Sequence, residues 1–228
     1  MSNVDVLVPV LCRPHRVLPL MRSFGSSGAS GRLLFVANEG DEEELAIIDK
    51  VGAEVLIVPD TCLSWPQKIN RSFVETEADW VLLGADDVHF HPGWWQATQG
   101  LRDSDKFGLI GTNDLGNPGV LRGEHATHPL ISRRYALDYG TFDTPPGAGV
   151  VVHEGYRHWF VDNELVATAK LRGKWTPCLE SVVEHLHPYW GKGEWDEVYE
   201  LGERERLADQ KLWSERSDAL LWSFESAS

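Results

Sequence analysis

Up to Gly84 the chain alternates strand-like apolar runs with helix-forming ones, and this alternation constrains the fold more than any other feature. "VDVLVPV" (Val4 to Val10) is β-branched and stops at the turn-prone "CRPH", after which a helix is predicted to about Phe24. "GSSGASG" is a loop and "RLLFVAN" a second strand. "DEEELAIIDKVG" opens acidic and closes at Gly52, the charge order that a helix dipole favours. "AEVLIVP" is a third strand. In "SWPQKINRSFVETEA", Ser64 is the predicted N-cap, and Trp65, Ile69 and Phe73 share one apolar face. "DWVLLGA" is the fourth strand. Such an order predicts an α/β fold built on an open, mixed sheet whose N-terminal half is mostly parallel. Ligands of such sheets bind beyond the carboxyl ends of the strands. There the chain places Asp86 and Asp87, adjacent carboxylates that repel unless a cation lies beside them.

Beyond Gly100 the pattern loosens. "FGLIGTN" is a predicted strand, and "DLGNPGVLRGEHATH" a long loop of the kind that often carries function. "TPPGAG" is a further break. "EGYRHWFVDNELVATAKLRGK" is predicted mostly helical, "CLESVVEHLHP" contains a strand, and the charged segment from Trp195 is a helix or helix pair. The 228 residues fit one domain over 1–195, in two halves at 1–92 and 93–195, followed by a helical tail at 196–228.

Composition removes several function classes. A net charge of −14 opposes broad binding to nucleic acid or anionic membrane, although the middle of the chain, with Arg122, Arg133, Arg134 and Arg157, is near balance. No apolar run is long enough to cross a bilayer, and the N-terminus lacks the basic region of a signal peptide. Cys12, Cys62 and Cys178 form no C-x-x-C pair and read as reduced thiols of a cytoplasmic protein. There is no G-x-G-x-x-G after the first strand, no G-x-x-x-x-G-K-[ST] and no G-x-S-x-G.

What remains is the strand-end Asp pair, a carboxylate cluster in "VDNEL" and a late "HLH". Carboxylate oxygens with imidazole suit Mn²⁺ or Mg²⁺ with sites left open for phosphate oxygens. His185 and His187 are two apart and share a face if the segment is a strand.

The ordered set "GADDV", "HPGWW", "YGTFD", "DNEL" and "HLHP" over Val4 to Trp195 resembles the GT-A fold glycosyltransferases of the family 2 type. That resemblance implies a metal-dependent, inverting transfer of a sugar from a nucleoside diphosphate sugar, by default a UDP-sugar, to a hydroxyl acceptor. It implies that Asp86 binds the metal with His187 or His185, and that Gly84 stands where the family has its first aspartate. Donor contacts are implied for Pro9 and Leu11 beside the base, Glu39 at the nucleoside, Lys68, Asn70, Asp86 and Asp87, and for Lys192 at the phosphates. Asp162 is the implied general base. Trp94, Trp95, Trp159 and Glu164 are the implied acceptor contacts, core packing being the plain alternative for any one tryptophan.

The acceptor reads as soluble: a small molecule, a glycan, a protein or, as a minority expectation, a hydroxylated DNA base. Trp213 and Trp222 of the tail are expected to serve a second subunit. Two other functions stay open. One is a metal-dependent phosphodiesterase built on Asp86, Asp87, His89 and His91; the other is a catalytically silent nucleotide-sugar-binding module, which the Gly84 departure keeps in play.

Overall fold

The computed structural model describes residues 3–225, so the last three residues of the predicted tail lie outside the described residues. Its sheet has eight strands in the order β3-β2-β1-β4-β7-β6-β8-β5. The parallel part is the predicted one. β1 (Val4–Pro9) lies between β2 (Gly31–Asn38) and β4 (Trp80–Leu83), and β3 (Glu54–Val58) completes that edge. In β1, Val6 and Val8 face one core while Leu7 faces the other, as the period of a strand requires. α1 (Pro14–Ser26) and α2 (Glu42–Val51) cover the first face; α3 (Trp65–Phe73) brings Ile69 and Phe73 to the second. The Ser64 cap is a full capping box, closed by Gln67, and Gly52 ends α2 in the left-handed conformation.

The second half departs from its sequence reading. β5 (Val88–Phe90) and β7 (Leu130–Ser132) have three residues each, too short for a period to register. β7 runs antiparallel between β4 and β6 (Leu109–Asn113), and β8 (Trp175–His185) joins β6 to β5. α4 (Trp94–Ala97) and α5 (Gln99–Arg102) follow β5, α6 (Pro118–Leu121) breaks the long loop, and α7 (Arg133–Tyr139) follows β7.

The segment predicted as mostly helical becomes α8 only from Val161 to Leu171. Its earlier backbone is held otherwise. The N–H groups of Arg157, His158 and Trp159 donate to the Asp209 carboxylate at 2.8–2.9 Å, and Phe160 adopts φ 64°. Asp209 belongs to α9 (Glu197–Glu225), one continuous helix that packs on α8 and contributes Leu212 and Trp213 to the second core. Trp222 is exposed. No helix among the described residues is long and apolar enough to cross a membrane.

Candidate active site

The carboxyl ends of β1 and β4 open on a cavity of about 610 Å³. Pro9, Leu11 and Trp65 line it, with Trp159 to Asp162 at the start of α8 and Val198, Tyr199, Leu201 and Gly202 of α9. Asp86 and Asp87 line it too, both buried.

The cations beside the aspartates come first from α1. Arg13 Nη1 donates to Asp86 Oδ1 at 3.1 Å, and its other nitrogens hold Asp196 at 2.7 and 2.9 Å. Arg16 stands 3.8 Å from Asp87, whose Oδ2 also accepts from Tyr199 Oη at 2.8 Å and lies 3.2 Å from His185 Nε2. The two carboxyls are thereby driven apart. Burial pushes Asp86 up, to about 6; Arg13 opposes this and Asp87 adds to it. Burial also raises Asp87, but His185, His128 and Arg13 together hold it well below the usual carboxylate range.

A divalent ion was tested against the side chains present. Among the described residues, Asp87, His128 and His185 each offer a ligand atom within 4.8 Å of the others. His128 Nε2 is buried without a hydrogen-bond partner, which fits an absent ligand. A metal therefore fits here. The group includes Asp87 in place of the expected Asp86, whose Oδ1 accepts from Arg13. It includes His185 and not His187, whose Nδ1 accepts the Tyr189 N–H while its ring packs on Tyr199.

Asp162 also lines the cavity, in the first turn of α8. Its Oδ2 is 2.9 Å from His125 Nε2, and its Oδ1 accepts the Asn163 N–H. Burial raises this carboxyl, yet His125 outweighs burial and keeps it below its ordinary value.

Of the other residues singled out in the sequence, Pro9, Leu11, Lys68, Trp159 and His187 line the cavity. The rest do not. Glu39 is exposed beyond β2, and its acidic loop meets the segment after β1 through Asp41, which accepts the Cys12 N–H at 2.7 Å. Asn70 is spent on the backbone of Val151 and Val152. Lys192 pairs with Glu184 at 2.7 Å. Trp94 and Trp95 are 0% and 4% exposed in the first core, with Arg102 stacked 3.4 Å over Trp95. Glu164 faces inward and is held by Arg216 of α9 at 2.6 and 2.7 Å and by Tyr156 Oη at 2.8 Å. Gly84 also has a steric reason: a Cβ there would meet Leu7 O at 2.9 Å. Sequence reasoning missed Arg13, Arg16, His125, His128 and Tyr199; the basic "RPHR" after β1 and the paired histidines of "HATH" were the available signals.

No family model matches the chain, and no curated protein matches it. Solved structures do. S. aureus TarS 1-349 in complex with UDP superposes with TM-score 0.64 and 11% identity, over 79% of this chain and 59% of that one. Its complex with UDP-GlcNAc gives TM-score 0.63 and 10% identity, over 85% and 62%. Glucosyl-3-phosphoglycerate synthase from Mycobacterium tuberculosis, bound to Mn²⁺, UDP and phosphoglyceric acid, gives 0.59 and 16%, over 90% and 75%. The chain thus has a GT-A-like fold. It spans about three fifths of the TarS fragment's length.

Proposed function

We propose that this chain is a metal-dependent, inverting glycosyltransferase that moves a sugar from a nucleoside diphosphate sugar to a hydroxyl acceptor. The observation that carries the reading is that Asp86 and Asp87, His128, Asp162 and His185 all line one cavity, from four separate segments. UDP in the complexes of the similar structures supports a uridine donor, and Mn²⁺ in one of them supports a divalent ion.

In this reading Pro9, Leu11 and Trp65 enclose the base. Asp87 and His185 would hold the ion, whose chemistry when bound is Lewis-acid stabilisation of charge on the departing diphosphate. Asp162, kept ionised by His125, accepts the proton of the acceptor hydroxyl as its oxygen bonds to the anomeric carbon. The bond from that carbon to the diphosphate oxygen breaks on the opposite face, so the configuration inverts. A base of this kind contributes about 10²–10⁴-fold. Trp159, Tyr189 and Trp190 supply aromatic faces for the acceptor.

The phosphodiesterase alternative loses its constellation: β5 leaves His89 exposed, and His91 pairs with Glu184 at 2.8 Å. Thermal shift with UDP, GDP and their sugars, with and without Mn²⁺, tests the donor. Ligand at 100 times its Kd adds roughly 2.7 kcal/mol of stability. Asp87→Ala is expected to lose metal-dependent donor binding and transfer, and Asp162→Ala transfer alone; wild-type transfer by both variants refutes the roles.

A further inference from the structure

His128 is not explained by packing. It lies between α6 and β7, 4% exposed, and its backbone is clamped: its carbonyl accepts from Thr112 Oγ1 at 2.6 Å, and the next residue, Pro129, accepts the Leu83 N–H at 3.1 Å. Its Nδ1 donates to the carbonyl of Leu83 at 3.3 Å, which fixes the neutral tautomer with a bare lone pair on Nε2. That nitrogen is buried and has no hydrogen-bond partner, a costly state for a polar atom. His128 lines the cavity with Asp87 and His185, each offering a ligand atom within 4.8 Å of the others, and the His128 and His185 rings meet edge to face at 4.8 Å. A backbone carbonyl on one imidazole nitrogen, with the other free, is the arrangement by which proteins orient metal-ligating histidines.

We propose that His128 is a third protein ligand, joining Asp87 and His185 in a two-histidine, one-carboxylate set that selects a first-row transition-metal dication over Mg²⁺. The inference rests on the metal-dependent reading above and adds to it both a ligand and a choice of ion. Mg²⁺ favours oxygen ligands in a near-ideal octahedron and releases water reluctantly, so two fixed imidazoles disfavour it. Imidazole suits the later first-row ions, and two nitrogens with one carboxylate leave positions open for further oxygen ligands. Asp86 stays outside the set, its carboxylate engaged by Arg13.

The test uses the full-length protein and the metals alone. Calorimetric titration is expected to give an affinity for Mn²⁺ at least about 100-fold above that for Mg²⁺, and Co²⁺ is expected to develop a visible ligand-field spectrum. His128→Gln is expected to lower Mn²⁺ affinity by about 10–100-fold or more, whereas Asp86→Asn leaves it within about threefold of wild type. Should the Gln variant fail to fold, pulsed electron paramagnetic resonance of Mn²⁺-loaded wild type reads the same point, with nitrogen couplings from two imidazoles expected. Equal Mg²⁺ and Mn²⁺ affinities overturn the proposal, as do one imidazole coupling or a metal affinity lost in Asp86→Asn and kept in His128→Gln. UDP binding that persists while these metal results fail removes the His128 assignment alone; intact metal binding with no nucleotide binding removes the glycosyltransferase reading instead.

Discussion

Arg216 is the residue whose removal should best expose how α9 holds the site. Its side chain is 11% exposed and forks onto Glu164, itself 5% exposed, and onto Asp143 at 2.9 and 3.0 Å. Arg216→Met strands the Glu164 carboxylate in the second core with only Tyr156 Oη as a donor. Breaking a buried pair in this way costs about 3–5 kcal/mol. Asp143 is 41% exposed and regains water, so its share is under about 1 kcal/mol. At about 2–4 °C per kcal/mol for a chain of this size, Tm should fall by on the order of 10 °C. Adding Glu164→Gln removes the stranded charge and keeps an acceptor for Tyr156, so the double variant should recover at least half of the loss. Since α9 walls the cavity, UDP affinity should fall in the single variant and recover with Tm in the double. Thermal and urea denaturation with calorimetric UDP titration read all three quantities. A Tm loss below about 3 °C in Arg216→Met, or no recovery in the double variant, would refute the reasoning that Glu164 is a buried anion held by the tail helix.

The remaining expectations concern single groups. Burial raises the Glu44 carboxyl to about 7, so the folded chain keeps a proton that the unfolded chain sheds. Stability contributed by Glu44 is full below about pH 4.5 and is lost as pH rises to 7, on the order of 3 kcal/mol in all; Glu44→Gln should flatten urea-derived stability across that window, and an unchanged slope refutes the assignment. Gly84→Ala places a methyl against Leu7 O and should cost about 1–3 kcal/mol by thermal denaturation; a wild-type Tm would show that the glycine is not sterically required. His125→Leu leaves Asp162 without its partner, so the acid limb of the transfer rate should move to higher pH, and an unmoved limb would remove His125 from the site.

The first half of the fold was legible because its signals are local. Alternating Val and Leu in β1, the Ser64 N-cap and Gly52 each fix their own few residues, and the structure repeats them in place. The second half is set by distant contacts. Asp209 unwinds the segment before α8 from about fifty residues away, and β5 and β7 exist only because β8 and β4 pair with them. The same division runs through the site. The role expected of Asp162 in "DNEL" came only from the resemblance, whereas the strand-end aspartates could be read because position along a βα unit identifies them. Arg13, His128 and Tyr199 could not, since nothing in "RPHR", "HATH" or the charged tail says which carboxylate each will meet. The tryptophans misled for a related reason: "HPGWW" follows the aspartates by only a few residues, but β5 carries it across the sheet, so that Trp94 and Trp95 enter the first core.

Two adjacent carboxylates at the end of one strand would be redundant if both met the same environment, and they do not. Successive residues turn their side chains apart, so Asp86 meets α1 and Asp87 meets β8 and α9. Arg13 spans Asp86 and Asp196, and Tyr199 both underlies that guanidinium at 4.0 Å and donates to Asp87. The first turn of α9 is therefore tied to both aspartates at once. Any anion that draws Arg13 or Arg16 toward itself must compete with Asp196, and any cation that takes Asp87 must displace the Tyr199 hydroxyl or share its oxygen. Occupancy of the cavity and the seating of α9 are coupled through these few bonds. Environments that push paired titratable groups apart mark a division of roles. Here the split falls between Asp86, raised by burial to about 6 and bonded to Arg13, and Asp87, held well below the usual carboxylate range beside His185 and His128. It is the partners, an arginine on one and imidazoles on the other, that place Asp87 with the metal-ligating set.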